Sequence, residues 1–137
     1  MANNPDLKMI LTGTAIPPLV KCPSIQQLKQ WAEASGDYNP IHSDRNFALN
    51  AGLPGVIVPG QLVAAFIGQM VTDWLGDKGE LIRLAVSYKG MNFPSDSVTC
   101  RGVVKERLVG QIILTVWAEN PSGEKTVVGT AVTTICD

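Results

Sequence analysis

Hydrophobic residues follow two different periods along this chain, and the change falls near Gly79. Before it, apolar positions recur every three or four residues. Ile25, Leu28, Trp31 and Ala32 give one apolar face to a helix, which Ser24 and Gln27 start as a capping box and Gly36 stops. A short helix is expected over Arg45 to Asn50, capped by Ser43 or Asp44 and closed by Ala51-Gly52-Leu53-Pro54-Gly55. Pro59 suits the start of a third helix, because its missing N–H would be unpaired there anyway. That helix runs from about Gly60 to Leu75, with Gly76 as its stop. Leu62, Phe66, Met70 and Trp74 form one stripe on it and Val63, Ile67 and Val71 the next. A helix apolar nearly all round belongs in the middle of a fold.

After Gly79 the period is two. Ile82, Leu84, Val86 and Tyr88 are expected on one face of a strand and Arg83, Ala85, Ser87 and Lys89 on the other. Asn92-Phe93-Pro94-Ser95-Asp96 breaks the pattern. Val98, Cys100, Gly102 and Val104 carry the next strand, and Leu108-Val109-Gly110 turns the chain into Gln111 to Glu119. Asn120-Pro121-Ser122-Gly123 is a strong turn before a last strand over Lys125 to Cys136. Upstream of the helices, Lys8 to Thr14 reads as a short strand, and Ala15 to Cys22, with Pro17 and Pro18, as extended chain or an edge strand. Residues 1–6 read as a loose arm. Helices first and hairpin-linked strands after them predict an α+β fold, an antiparallel sheet packed on one buried helix.

The bulk properties change little in that picture. A chain of 137 residues with 45% hydrophobic and 17% charged residues is expected to be one domain, 1–137, with a real core. A net charge of -1 gives no argument for nucleic acid or an acidic membrane surface as partner. Asn46 to Thr72 carries no charge, but Asn50, Pro54, Pro59, Gln61 and Gln69 interrupt it, so it is not a membrane span. The opening residues are polar and do not resemble a signal peptide. Cys22, Cys100 and Cys136 are odd in number and lack CxxC spacing, and are expected as reduced, mostly buried thiols of a cytoplasmic protein.

The densest chemistry lies in Ala34-Ser35-Gly36-Asp37-Tyr38-Asn39-Pro40-Ile41-His42-Ser43-Asp44, which holds the only histidine. Asp37 and His42 are not at helical stacking distance, and Pro40 drives Asn39 out of the helical region. The stretch reads as a helix exit, a stiff bend and a new helix start. Such a bend can aim a carboxylate and an imidazole at one small volume and hold one water there. Gly-Asp-x-Asn-Pro is also good turn chemistry by itself. On the residues alone both readings stand.

Ser35-Gly36-Asp37-Tyr38-Asn39-Pro40-Ile41-His42, with Asp44 and Ala48 after it, resembles the signature of the (R)-specific enoyl-CoA hydratases, the MaoC-like dehydratases. Pro59-Gly60-Gln61-Leu62 falls where that family usually has His-Gly and an apolar residue, so Pro59 and Gln61 depart from the pattern. The resemblance implies a hot-dog fold, in which a curved antiparallel sheet wraps a long central helix, here Gly60 to Leu75. Residues Asp44 to Val58 would be the overhanging segment of the hydratase branch. It implies that Asp37 and His42 form the catalytic pair and that the Gly60 N–H meets the thioester oxygen. The reaction is the hydration of a trans-2-enoyl thioester to the (R)-3-hydroxyacyl thioester, or the reverse dehydration.

Around that site, Asn39 and Asp44 read either as bracing residues or as turn and cap alone. Leu62, Phe66 and Met70 are candidates for an acyl channel and, equally by position, for core. Arg83, Lys89, Arg101, Lys105 and Arg107 fit a solvated sheet face or contacts to coenzyme A phosphates. The substrate would be an acyl-CoA or acyl carrier protein thioester, with no dissociable cofactor and no metal. An exposed sheet edge suggests a homodimer, or a heterodimer with a related subunit. The alternatives are an acyl-binding, non-catalytic subunit and a hot-dog thioesterase. The thioesterase commonly carries an acid on the central helix, which here has none before Asp73. A serine hydrolase lacks its G-x-S-x-G elbow, and a metal site lacks clustered ligands.

Overall fold

A computed structural model describes residues 7–136, and the arm expected over residues 1–6 lies outside them. The order of elements is β1 (Leu19–Lys21), α1 (Ile25–Ser35), α2 (Arg45–Asn50), α3 (Gly60–Leu75), β2 (Gly79–Tyr88), β3 (Val98–Leu108), β4 (Gln111–Glu119) and β5 (Lys125–Ile135). The strands form one antiparallel sheet in the order β1-β3-β4-β5-β2. The sheet curls around α3, and this is the hot-dog fold.

The core explains the arrangement. Val63, Ile67, Val71 and Leu75 of α3 are shut from solvent against Val98, Val104, Ile112, Leu114, Val116 and Ala131 of the strands. Both α3 stripes are buried because the sheet bends round them. Gln61, Ala65 and Gln69 stay exposed on α3 as an uncharged row, followed by exposed Thr72 and Asp73 near its end. Among the described residues no helix is long and apolar enough to cross a membrane.

Three sequence expectations are corrected. Lys8 to Thr14 is not a strand. Leu7–Met9 forms one 3-10 turn, which lets Leu7 and Ile10, three apart, both bury their side chains, and Gly13 turns the chain at φ 90°. In β2 a bulge between Leu81 and Arg83 shifts the alternation. Leu81 therefore joins Leu84 and Val86 against the core, and Ile82 is left 51% exposed. Of the cysteines only Cys100 is buried; Cys22 and Cys136 are exposed, and all three are free thiols. Burial pushes the Cys100 thiol up to about 12.

Candidate active site

The bend after α1 is built from its own side chains. Gly36 takes the left-handed conformation (φ 76°) that closes the helix, and its N–H bonds the Ala32 carbonyl. Asp37 N–H then donates to Ser35 Oγ, Asn39 N–H to Asp37 Oδ1, and Ile41 N–H to Asn39 Oδ1, each at 3.2 Å. Pro40–His42 completes a 3-10 turn, and Asp44 caps α2 by accepting from Phe47 N–H at 3.1 Å. Asp37 and Asn39 thus each commit one oxygen to the turn.

The turn leaves Asp37 Oδ2 facing His42. His42 Nδ1 lies 2.8 Å from the carbonyl oxygen of Ile57. A carbonyl only accepts, so Nδ1 carries a proton, and in the neutral imidazole Nε2 presents a lone pair. Nε2 stands 3.9 Å from Asp37 Oδ2, too far for a direct hydrogen bond and suited to a water that touches both. The imidazole is mostly covered (side chain 13% exposed) and the carboxylate is open to the cleft (37%). Ile57 is itself fixed by its N–H, which bonds the Ile41 carbonyl, so the two segments hold one another.

Gly60 begins α3, where N–H groups have no acceptor within the helix, and Pro59 ahead of it offers no side-chain cap. Asp37, His42 and Gly60 line one cleft of about 310 Å³, together with Val63, Tyr88 and Asn92. A smaller hollow of about 210 Å³ lies on the other side of the pair, against Leu28, Ala32 and Tyr38 of the α1 side. A groove of about 390 Å³ on the outer sheet face, between Ser87, Thr115, Trp117 and Thr130, has no carboxylate or imidazole on its wall.

The structure therefore brings Asp37, His42 and Gly60 around one space. Leu62 and Phe66 are not on its wall. Their row of α3 faces the sheet, and each is 4% exposed within the core, while Val63 on the next row reaches the cleft. Asn39 borders the smaller hollow and holds the turn rather than the cleft. Tyr88, Met91, Asn92 and Val127 are cleft residues that the sequence did not mark. Asn92 opens the stretch read only as a strand break, and an uncharged amide beside Phe-Pro gives a turn signal and nothing more.

Comparison with known proteins agrees with this architecture. The model of the MaoC like domain family matches residues 14–125, and the chain belongs to this MaoC-like dehydratase family. The fatty acid synthase subunit beta of Aspergillus oryzae is 37% identical over 91 residues, covering 64% of the chain and 4% of that protein. The chain spans only 2–6% of the length of the curated relatives it matches. The (R)-hydratase from A. caviae involved in PHA biosynthesis superimposes with a TM-score of 0.87 at 25% identity, covering 93% of this chain and 98% of that one. The ChsH1-ChsH2 complex from Mycobacterium tuberculosis gives 0.85 at 23% identity over 93% of this chain and 100% of that one, a likeness of fold.

Proposed function

We propose that the protein adds water to trans-2-enoyl thioesters to give (R)-3-hydroxyacyl thioesters, or runs the same step backwards as a dehydratase. The observation that carries this reading is the fixed tautomer of His42. With Nδ1–H committed to Ile57, both Nε2 and Asp37 Oδ2 are acceptors for one water between them. That water gives a proton to Asp37 Oδ2 or His42 Nε2 as its oxygen bonds the β-carbon, and the π electrons move toward the thioester oxygen. The Gly60 N–H meets the charge that grows there, helped by the positive end of α3. The same water proton then passes to the α-carbon from the same face, which makes the addition syn. Family membership and the (R)-hydratase likeness support the reading.

The thioester would be carried by coenzyme A or an acyl carrier protein. We infer a dimer through the free edge of β2. That strand ends the sheet, its Ile82 and Tyr88 are exposed, and the Tyr88 ring lies over Gly60 at the start of α3. A second copy is the partner that needs no other chain, and a related subunit is the alternative.

The test is hydration of enoyl-CoA substrates of several lengths, with chiral analysis of the product. Formation of the (R)-alcohol that disappears in Asp37→Asn and His42→Ala is expected. Retained hydration in both variants rejects the pair, and release of free coenzyme A without hydration points to a thioesterase.

A further inference from the structure

Four buried side-chain nitrogens lack a hydrogen-bond partner among the described residues: Trp31 Nε1, Trp74 Nε1, Asn92 Nδ2 and Arg107 Nε. Only Asn92 belongs to the wall of the cleft that holds Asp37 and His42. Its residue is 4% exposed, and a buried amide without a partner is unfavourable unless something else recovers the bond.

The backbone around Asn92 is held on two sides. Its carbonyl accepts from Val58 N–H at 2.8 Å, and Val58 lies just ahead of Pro59 and Gly60. Lys89 N–H and Gly90 N–H both donate to the Thr126 carbonyl, at 2.8 and 3.1 Å, which ties the segment to β5. The amide is thus placed beside the start of α3 by main-chain bonds, and its own side chain contributes nothing to holding it. The unpaired Nδ2 is itself shut from solvent, and a half-turn about χ2, which exchanges Nδ2 and Oδ1 in the same space without backbone movement, is the rotation that would turn an N–H to the cleft.

Resting on the hydratase reading above, we propose that Asn92 is a catalytic residue whose amide donates a second hydrogen bond to the thioester oxygen, beside the Gly60 N–H. That oxygen is the acceptor common to every acyl thioester, and it has room for two donors. The charge it gains during attack on the β-carbon makes both bonds stronger in the transition state than in the bound substrate.

The experiment compares wild type, Asn92→Leu and Asn92→Asp with short and long enoyl-CoA substrates, after thermal melts have shown which variants are folded. Asn92→Leu is expected to lose kcat by about a hundredfold with little change in KM, equally at all chain lengths and with an unshifted pH profile. Asn92→Asp, the same shape with the donor gone and a negative charge in its place, is expected to lose more than the leucine variant. A folded Asn92→Asp that hydrates at least as fast as a folded Asn92→Leu overturns the assignment, because a negative charge beside the developing oxyanion must cost more than a lost donor. Losses confined to KM, or to long chains, also overturn it. A wild type that hydrates no enoyl thioester ends the reading of the site and this assignment with it. An active wild type with unchanged variants ends the assignment alone.

Discussion

The ring of Tyr88 lies directly over Gly60: a Cβ built on Gly60 would fall 2.7 Å from Tyr88 Cε1 and 2.8 Å from Cδ1. Glycine is required here by space, since Gly60 starts an ordinary helix and its φ is not in the left-handed region. Tyr88 ends an edge strand and is 52% exposed, so its ring can swing away, and both residues line the cleft. Gly60→Ala is therefore expected to leave stability within about 1 kcal/mol, since what it must displace is the far end of a half-exposed side chain. It is expected to lower hydration at least tenfold, because the added methyl and the displaced ring both border the cleft. Adding Tyr88→Ala should restore part of the loss, and a double-mutant cycle on kcat/KM measures that coupling.

In the proposed mechanism Asp37 and His42 act on one water, so their losses should not add. Asp37→Asn and His42→Ala are each expected to reduce kcat by about 10² to 10⁴, the range for a positioned acid–base group. The double variant should be no slower than the worse single one, because removing either group already abolishes the shared water site. Losses that multiply would mean two independent roles. Single-turnover hydration assays of the four proteins decide between the two.

Much of this was written locally in the chain. Residues 111–119 alternate cleanly, and β4 occupies that span, with Ile112, Leu114, Val116 and Ala118 fully buried. The caps at Ser24, Gly36 and Asp44 are side-chain and backbone chemistry within a few residues, so they too are legible. What failed needed distant partners. The bulge at Leu81 and Arg83 is set by pairing with β5, and nothing beside Ile82 announces it. Both stripes of α3 are apolar, and only the curl of the sheet decides that Val63 reaches the cleft while Leu62 and Phe66 do not. Asn92 joins Asp37 across more than fifty residues of chain, through a bond to Val58 that no local pattern encodes.

The three thiols should differ sharply in reactivity. Cys22 and Cys136 are exposed, while Cys100 is wholly buried in β3 and its thiol is pushed up to about 12 by that burial. A disulfide reagent is expected to label two thiols of the native protein and a third only on unfolding. The same shift has a sign in stability. The folded state keeps the Cys100 proton after the unfolded chain has lost it, so the contribution is full below the unfolded value. It is lost as pH rises through roughly 9 to 12, by up to about 1.4 kcal/mol per pH unit. Denaturant titrations of wild type and Cys100→Ala across that window should diverge, the alanine variant losing less stability with pH.

The β2 edge offers the last test. Ile82 is 51% exposed because of the bulge, and it lies on a strand whose outer side pairs with nothing among the described residues. A lysine there would place a charge in any surface formed by two β2 edges, and a charge on an edge strand is a recognised way to block pairing. Ile82→Lys is expected to shift the protein from dimer toward monomer in sedimentation experiments, with the melting temperature of the monomer little changed because the side chain contributes nothing to the core. The cleft opens beside this edge, between Tyr88 and Met91 on one side and Gln61 on the other. Hydration should therefore fall with the dimer fraction and recover as protein concentration is raised. Full activity in a monomeric variant would place the whole site within one chain.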